Sequence, residues 1–242
     1  MTNRNMKKEN KIVQHINQIL EEIPSSTRLV AVSKYHTVDE IQQAYDGGQR
    51  LFGENKVQEL LVKYEKLPYP DIQWHMIGHL QRNKVKYIAP FVAMIHAVDT
   101  FKLLQEIDKQ ATACNRVIPV LLEVHVAEED SKYGFSINKL MSMFAERQWT
   151  FLKHVSICGI MGMASHTDNE QRIRQDFKQL AVCFKEIKQI YFCEESGQKN
   201  SFSELSMGMT NDYLLAVKEG STLVRIGSGI FGKPQMTVNN SL

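Results

Sequence analysis

Apolar positions along the chain follow two alternating rhythms. Ile12, Ile16, Ile19, Leu20 and Ile23 recur at helical spacing and predict an amphipathic helix that ends near Pro24. Leu29 to Ser33 then reads as a short buried strand. Thr37 and Glu40 form a T-x-x-E capping box that opens a helix to about Tyr45, closed by Gly47 and Gly48. The alternation continues with strands at 51–53, 74–77, 92–98, 119–126, 155–161, 204–206 and 223–226. Helices are predicted between them at 54–66, 82–88, 101–113, 137–147, 169–190 and 211–218, the last with Thr210 as its cap. The polar stretch from Glu194 to Ser203 reads as a loose connection, and the tail after Lys233 as frayed.

Eight strands, most followed by a helix, argue for parallel βαβ units. In 242 residues they match a single (β/α)8 TIM barrel spanning 1–242, with an extra N-terminal helix. An open doubly wound sheet is the alternative, but nothing like G-x-G-x-x-G follows the first strand.

Composition narrows the function. Charged residues make up 23% and the formal net charge is +2, which gives no reason to expect nucleic acid or an anionic membrane as main partner. The start, MTNRNMKKENK, lacks the apolar core of a secretory signal, and no apolar run is long enough to span a bilayer. Cys114, Cys158, Cys183 and Cys193 form no C-x-x-C pair and read as reduced thiols, so a cytoplasmic location is expected.

In a barrel of this kind the chemistry sits just beyond the C-terminal ends of the strands. Those positions hold Lys34, Glu54, Asn55, His75, His79, Ser165, His166, Ser206, Gly208, Thr210, Arg225, Gly227 and Ser228. "SMGMTND" and "RIGSGIFG" offer small residues and backbone N–H groups that can cradle a phosphate. The same glycines could serve only as tight turns. Lys34 could be a solvated strand end or a Schiff-base amine. The second role needs a neutral nitrogen, against a free-lysine pKa of about 10.4, and partial burial favours that form. His75 and His79 lie four apart, but Gly78 and the strand context spoil a zinc-binding helical face. Met161, Met163, Met207 and Met209 are expected to pack the barrel top.

Taken together, "AVSKYHT", "FGENKVQE", "WHMIGHLQRNK", "SKYGF", "GIMGMAS" and "ELSMGMTNDYLLAVKEGSTLVRIGSGIFG" resemble the YggS/PROSC family of pyridoxal phosphate homeostasis proteins, in order, from about residue 10 to 233. The resemblance implies a barrel similar to the N-terminal domain of alanine racemase. It implies that pyridoxal 5′-phosphate forms an internal aldimine with Lys34. Ser206, Gly208, Thr210, Gly227 and Ser228 would surround the phosphate, Arg225 would face the pyridine nitrogen, and Asn55 and His79 would line the pocket. A guanidinium beside that nitrogen disfavours its protonation and weakens the ring as an electron sink. Two positions depart from the family pattern. Lys56 replaces a tyrosine, and Ser165–His166 replaces a frequent proline, so the walls near strands two and six are expected to differ.

Two functions fit. One is a carrier that buffers or delivers the cofactor, with apoenzymes as candidate recipients and a monomer as the expected form. The other is an amino-acid racemase. Alanine racemases carry a second domain that supplies an opposed tyrosine base, whereas this chain reaches Leu242 about sixteen residues after its last strand. With Lys34 as one acid/base group and no convincing second, the carrier is expected. A Schiff-base aldolase would also use such a lysine, but would carry no chromophore.

Overall fold

The structure is a computed structural model and describes residues 10–127, 133–193 and 202–233. The expected loose stretch up to residue 201 and the tail beyond residue 233 lie outside the described residues, as does part of "SKYGF".

Eight parallel strands close into a barrel in sequence order. They are β1 (Arg28–Val32), β2 (Leu51–Glu54), β3 (Gln73–Met76), β4 (Met94–Val98), β5 (Ile118–His125), β6 (Val155–Met163), β7 (Glu204–Ser206) and β8 (Leu223–Ile226). Closure comes from β1 on β8, with Val30 opposite Arg225. Helix α1 (Lys11–Glu22) precedes the barrel. Around it run α2 (Val38–Asp46), α3 (Val57–Lys66), α4 (Val85–Ile88), α5 (Phe101–Ala113), α6 (Ile137–Ala145), α7 (Glu170–Tyr191), α8 (Tyr213–Lys218) and α9 (Ser228–Phe231).

Local chemistry sets most boundaries. The Thr37–Glu40 capping box is complete: the Thr37 hydroxyl accepts from the Glu40 amide, and the Glu40 carboxylate accepts from the Thr37 amide at 2.7 Å. Three helix starts differ most from the sequence reading, and one of them is α4, which begins at Val85 after a 3-10 turn at Arg82–Lys84. Helix α3 begins at Val57 rather than 54 because Glu54 ends β2 with its side chain fully buried. Helix α8 begins at Tyr213, with Asp212 rather than Thr210 preceding it. The Thr210 hydroxyl instead faces the turn after β8, 3.2 Å from the Ser228 hydroxyl.

The main apolar layer lies between strands and helices, with Phe52, Leu60, Trp74, Ile95, Leu104, Phe144, Phe177 and Ile226 buried in it. A smaller cluster fills the barrel interior: Val30, Met94, Ala97, Leu121, Met161 and Leu223. Two residues further along the same strands, facing the same way, stand His96, Glu123 and Arg225. The interior thus passes from an apolar floor to a polar layer toward the C-terminal mouth, where the loops build a cavity.

Candidate functional site

The mouth holds a cavity of about 760 Å³. Its wall includes Lys34 and Tyr35 after β1, Asn55 after β2, Glu123 on β5, and Arg225, Gly227 and Ser228 on and after β8. Thr210 and Asp212, between β7 and α8, complete that side. Six of the nine expected site residues therefore share one wall: Lys34, Asn55, Thr210, Arg225, Gly227 and Ser228.

The other three lie elsewhere. Ser206 is fully buried behind Arg225 and touches its guanidinium. Gly208 sits behind the Thr210 loop at φ +95°, where a Cβ would come within 2.6 Å of Ala216 Cβ. Its carbonyl accepts from the Arg225 amide at 2.9 Å, so it aligns the loop with β8. His79 is partly exposed, 3.1 Å from the Asp99 carboxylate, and its ring lies 3.9 Å from that of Tyr133, a wall residue.

Lys34 is half-buried, and among the described residues its amine has no hydrogen bond or ion pair. The backbone beneath it is held firmly. The Lys63 ammonium donates to the Ser33 carbonyl at 2.7 Å and to Glu54 Oε1 at 2.6 Å, and the Ser33 hydroxyl donates to the same oxygen at 2.5 Å. Burial pushes the Glu54 carboxyl above its ordinary range, against the pull of Lys63 and Ser33. Next to Lys34, Tyr35 adopts a left-handed backbone at φ +66°, a conformation that costs energy and aims the adjoining side chain. Its amide donates to Glu59 at 3.1 Å. Lys56 is exposed, with its ammonium 5.4 Å over the Tyr35 ring.

Arg225 is fixed by a buried chain of polar groups. Its Nη1 donates to the Ser206 hydroxyl at 2.7 Å and its Nη2 to the Gly162 carbonyl at 3.1 Å. Ser206 Oγ lies 3.1 Å from His96 Nδ1, and His96 Nε2 lies 2.8 Å from His75 Nδ1. Burial holds His75 down to about 3 and His96 well below its ordinary value, so both rings are neutral. Because a guanidinium only donates, Ser206 accepts from Arg225, and with both rings neutral the Ser206–His96 and His96–His75 contacts each pair one donor with one acceptor. Burial also lowers Arg225 to about 10, with Asp212 and Glu123 opposing.

At the opposite turn, the Thr210 hydroxyl is 3.4 Å from the Gly229 amide, and the amides that open α9 have no acceptor within that helix. Two hydroxyls, the amides that open α9 and a guanidinium suit an anionic ring-bearing ligand, and the unpartnered Lys34 amine suits an aldehyde.

The methionines divide. Met161 and Met207 are buried as expected, but Met163 and Met209 are 44% and 39% exposed and line the cavity. His36 packs on Phe231 at 4.8 Å and sits 3.2 Å from Glu40, away from any pairing with Lys34. Ser165 and His166 both reach the wall. Glu123 and His96 were not singled out by the sequence reading. The signal was a single polar residue inside an apolar strand, as in "VLLEVHV" and "AMIHAV".

The family model for the alanine racemase N-terminal domain matches residues 8–234. The pyridoxal phosphate homeostasis protein of Aquifex aeolicus is 37% identical over 207 residues, covering 85% of this chain and 86% of the relative. That of Pasteurella multocida is 35% identical over 222 residues, covering 91% and 92%. The chain belongs to the pyridoxal phosphate homeostasis protein family. Among solved structures, PipY of Synechococcus elongatus PCC7942 with PLP bound superposes with a TM-score of 0.83 at 33% identity, covering 91% of this chain and all of that one. An alanine racemase from E. faecalis gives a TM-score of 0.67 at 17% identity, covering 92% of this chain and 58% of that one, which shows the shared barrel alone. Among the described residues no helix is long and apolar enough to cross a membrane.

Proposed function

We propose that this member of the family binds pyridoxal 5′-phosphate in the mouth cavity and serves as a cytoplasmic, monomeric carrier that buffers it and supplies it to apoenzymes. The carrying observation is the convergence on one wall of the Lys34 amine, the Arg225 guanidinium and the Thr210–Ser228 turn. PipY, solved with PLP bound, supports the same ligand class.

When bound, pyridoxal phosphate supplies an aldehyde open to attack by an amine and a ring able to withdraw electrons. Lys34 would attach the aldehyde carbon covalently. Thr210, Ser228 and the amides at the start of α9 would bind the phosphate. Arg225, always a donor, would hold the ring nitrogen unprotonated, and the Ser206–His96–His75 chain would keep it from turning away. Asn55 would close the wall beside Lys34, while Gly208 and Gly227 would shape the two turns.

Borohydride reduction of the loaded protein, followed by peptide mass spectrometry, tests this directly. The pyridoxyl-phosphate mass is expected on the peptide carrying Lys34 and is expected to vanish in Lys34→Ala. Colour that persists in that variant, with the mass on another lysine, overturns the assignment. The carrier reading also expects no solvent deuterium at the α-position of alanine after prolonged incubation, and its appearance would favour racemisation.

A further inference from the structure

The cavity is chemically lopsided. Lys34, Arg225, Thr210 and Ser228 come from the β1, β7 and β8 side, and Glu123, Met163 and His166 from the β5 and β6 side. Glu123 is only 8% exposed, yet its side chain borders the cavity, and among the described residues no hydrogen bond or ion pair reaches its carboxyl. A carboxyl more than nine-tenths buried and without a protein partner is costly, and its position in the cavity wall points to a ligand that supplies the partner. An ammonium group, with three donors and a positive charge, is its complement; a phosphate or carboxylate is not.

We propose that the β5–β6 side of the cavity is a subsite for a primary amine, anchored by Glu123, and that the amine bound there displaces Lys34 from the cofactor and carries the cofactor out. This rests on the attachment of the cofactor at Lys34 argued above. The exchange balances. The ammonium ion gives one proton to the Glu123 carboxylate and becomes a free amine. Its nitrogen bonds to the cofactor's aldehyde carbon as the bond from that carbon to Lys34 Nζ breaks. The two protons left on the incoming nitrogen pass to Lys34 Nζ, which leaves as an amine and takes up the third from Glu123, restoring the carboxylate. No oxidant or reductant is needed.

The surroundings let Glu123 exchange a proton near neutrality. Burial and the Asp99 carboxylate beyond β4 raise it to about 7, with Arg225 of β8 opposing. The other titratable groups around it are His96 on β4, His125 on its own strand, His166 and Asp168 beyond β6, and Lys34 across the mouth. Helices α5 and α6 cover the outer face of β5.

The test follows loss of the protein-bound cofactor band in stopped flow as ethanolamine or glycine is added, with triethanolamine as a control that cannot form the new bond. Wild-type and Glu123→Gln proteins are compared at equal cofactor occupancy. The wild-type rate is expected to saturate with amine concentration. In Glu123→Gln it is expected to rise linearly and to be at least about tenfold slower at low amine. Glu123→Asp, which keeps a carboxyl, is expected to retain saturation and stands in if the glutamine variant does not fold. Equal rates and equal saturation with and without the carboxyl overturn the subsite. A wild-type protein that never acquires the band overturns the cofactor reading itself, so the two failures are distinct.

Discussion

At the scale of single residues, the cavity is framed by charges that the fold keeps out of water. Lys63 and Glu54 are both buried and 2.6 Å apart, and Glu54 Oε2 has no hydrogen-bond partner among the described residues. Removing one member of such a pair strands the other. Lys63→Met is expected to lower stability in urea unfolding at neutral pH by about 3–5 kcal/mol. Glu123 gives a different signature. Its folded value, about 7, lies above its ordinary 4.5, so between these pH values the folded state holds a proton that the unfolded state has lost. Stability from this group is present at low pH and is lost as pH rises toward 7. Glu123→Gln should therefore match the wild type near pH 4.5 and exceed it at pH 8, by up to about 3 kcal/mol. Equal stabilities at pH 8 would show that the carboxyl is not held in this environment.

At the scale of elements, short turns carry the site, and each is anchored to a strand or helix. The Thr210 loop depends on Gly208, whose positive φ and contact with Ala216 and Tyr213 leave no room for a side chain. Gly208→Ala is expected to shift the loop and to weaken pyridoxal phosphate binding at least about tenfold in an absorbance titration, with a stability loss of about 1–3 kcal/mol. The α2 capping box is more local. Thr37→Ala removes a hydroxyl that accepts from the Glu40 amide, and a loss of about 1 kcal/mol in thermal unfolding is expected. The Thr37 cap lies four residues after Ser33, so it also fixes where the chain leaves β1.

At the scale of the whole molecule, the closed barrel places two neutral histidines at its centre. His75 titrates at about 3 in the folded protein, against an ordinary value of 6.5, and His96 is lowered in the same direction. Below pH 6.5 the unfolded chain gains protons that the folded one refuses, so stability is lost on acidification, about 1.4 kcal/mol per unit for each histidine. The raised carboxyls Glu123, Glu54 and Asp212 work the other way, so the histidine contribution is read by difference. Between pH 7 and pH 5 a His75→Asn protein is expected to lose about 1–3 kcal/mol less stability in urea unfolding than the wild type. An identical pH dependence in the two proteins would contradict a neutral His75 ring in the barrel core.

The order of strands and helices, the α2 cap and the rim position of Lys34 were legible in the sequence, because each follows from local periodicity or from side chains a few residues apart. The eight strand segments match those observed to within about two residues, as expected when burial repeats every second or fourth position. Non-local pairings were not legible. Nothing near Ser206 announces that it lies beneath Arg225, or that His96 and His75 continue the chain from it, because these contacts join positions 19 to 110 residues apart. Lys63 belonged to the apolar face of α3 only once β1 and β2 supplied the Ser33 carbonyl and the Glu54 carboxylate. Sequence alone determined the alternation of strands and helices that a barrel requires and six of the residues that stand at its mouth. Closure of β1 on β8 decided which of them share a cavity, because only then do residues from opposite strands face one another across one space.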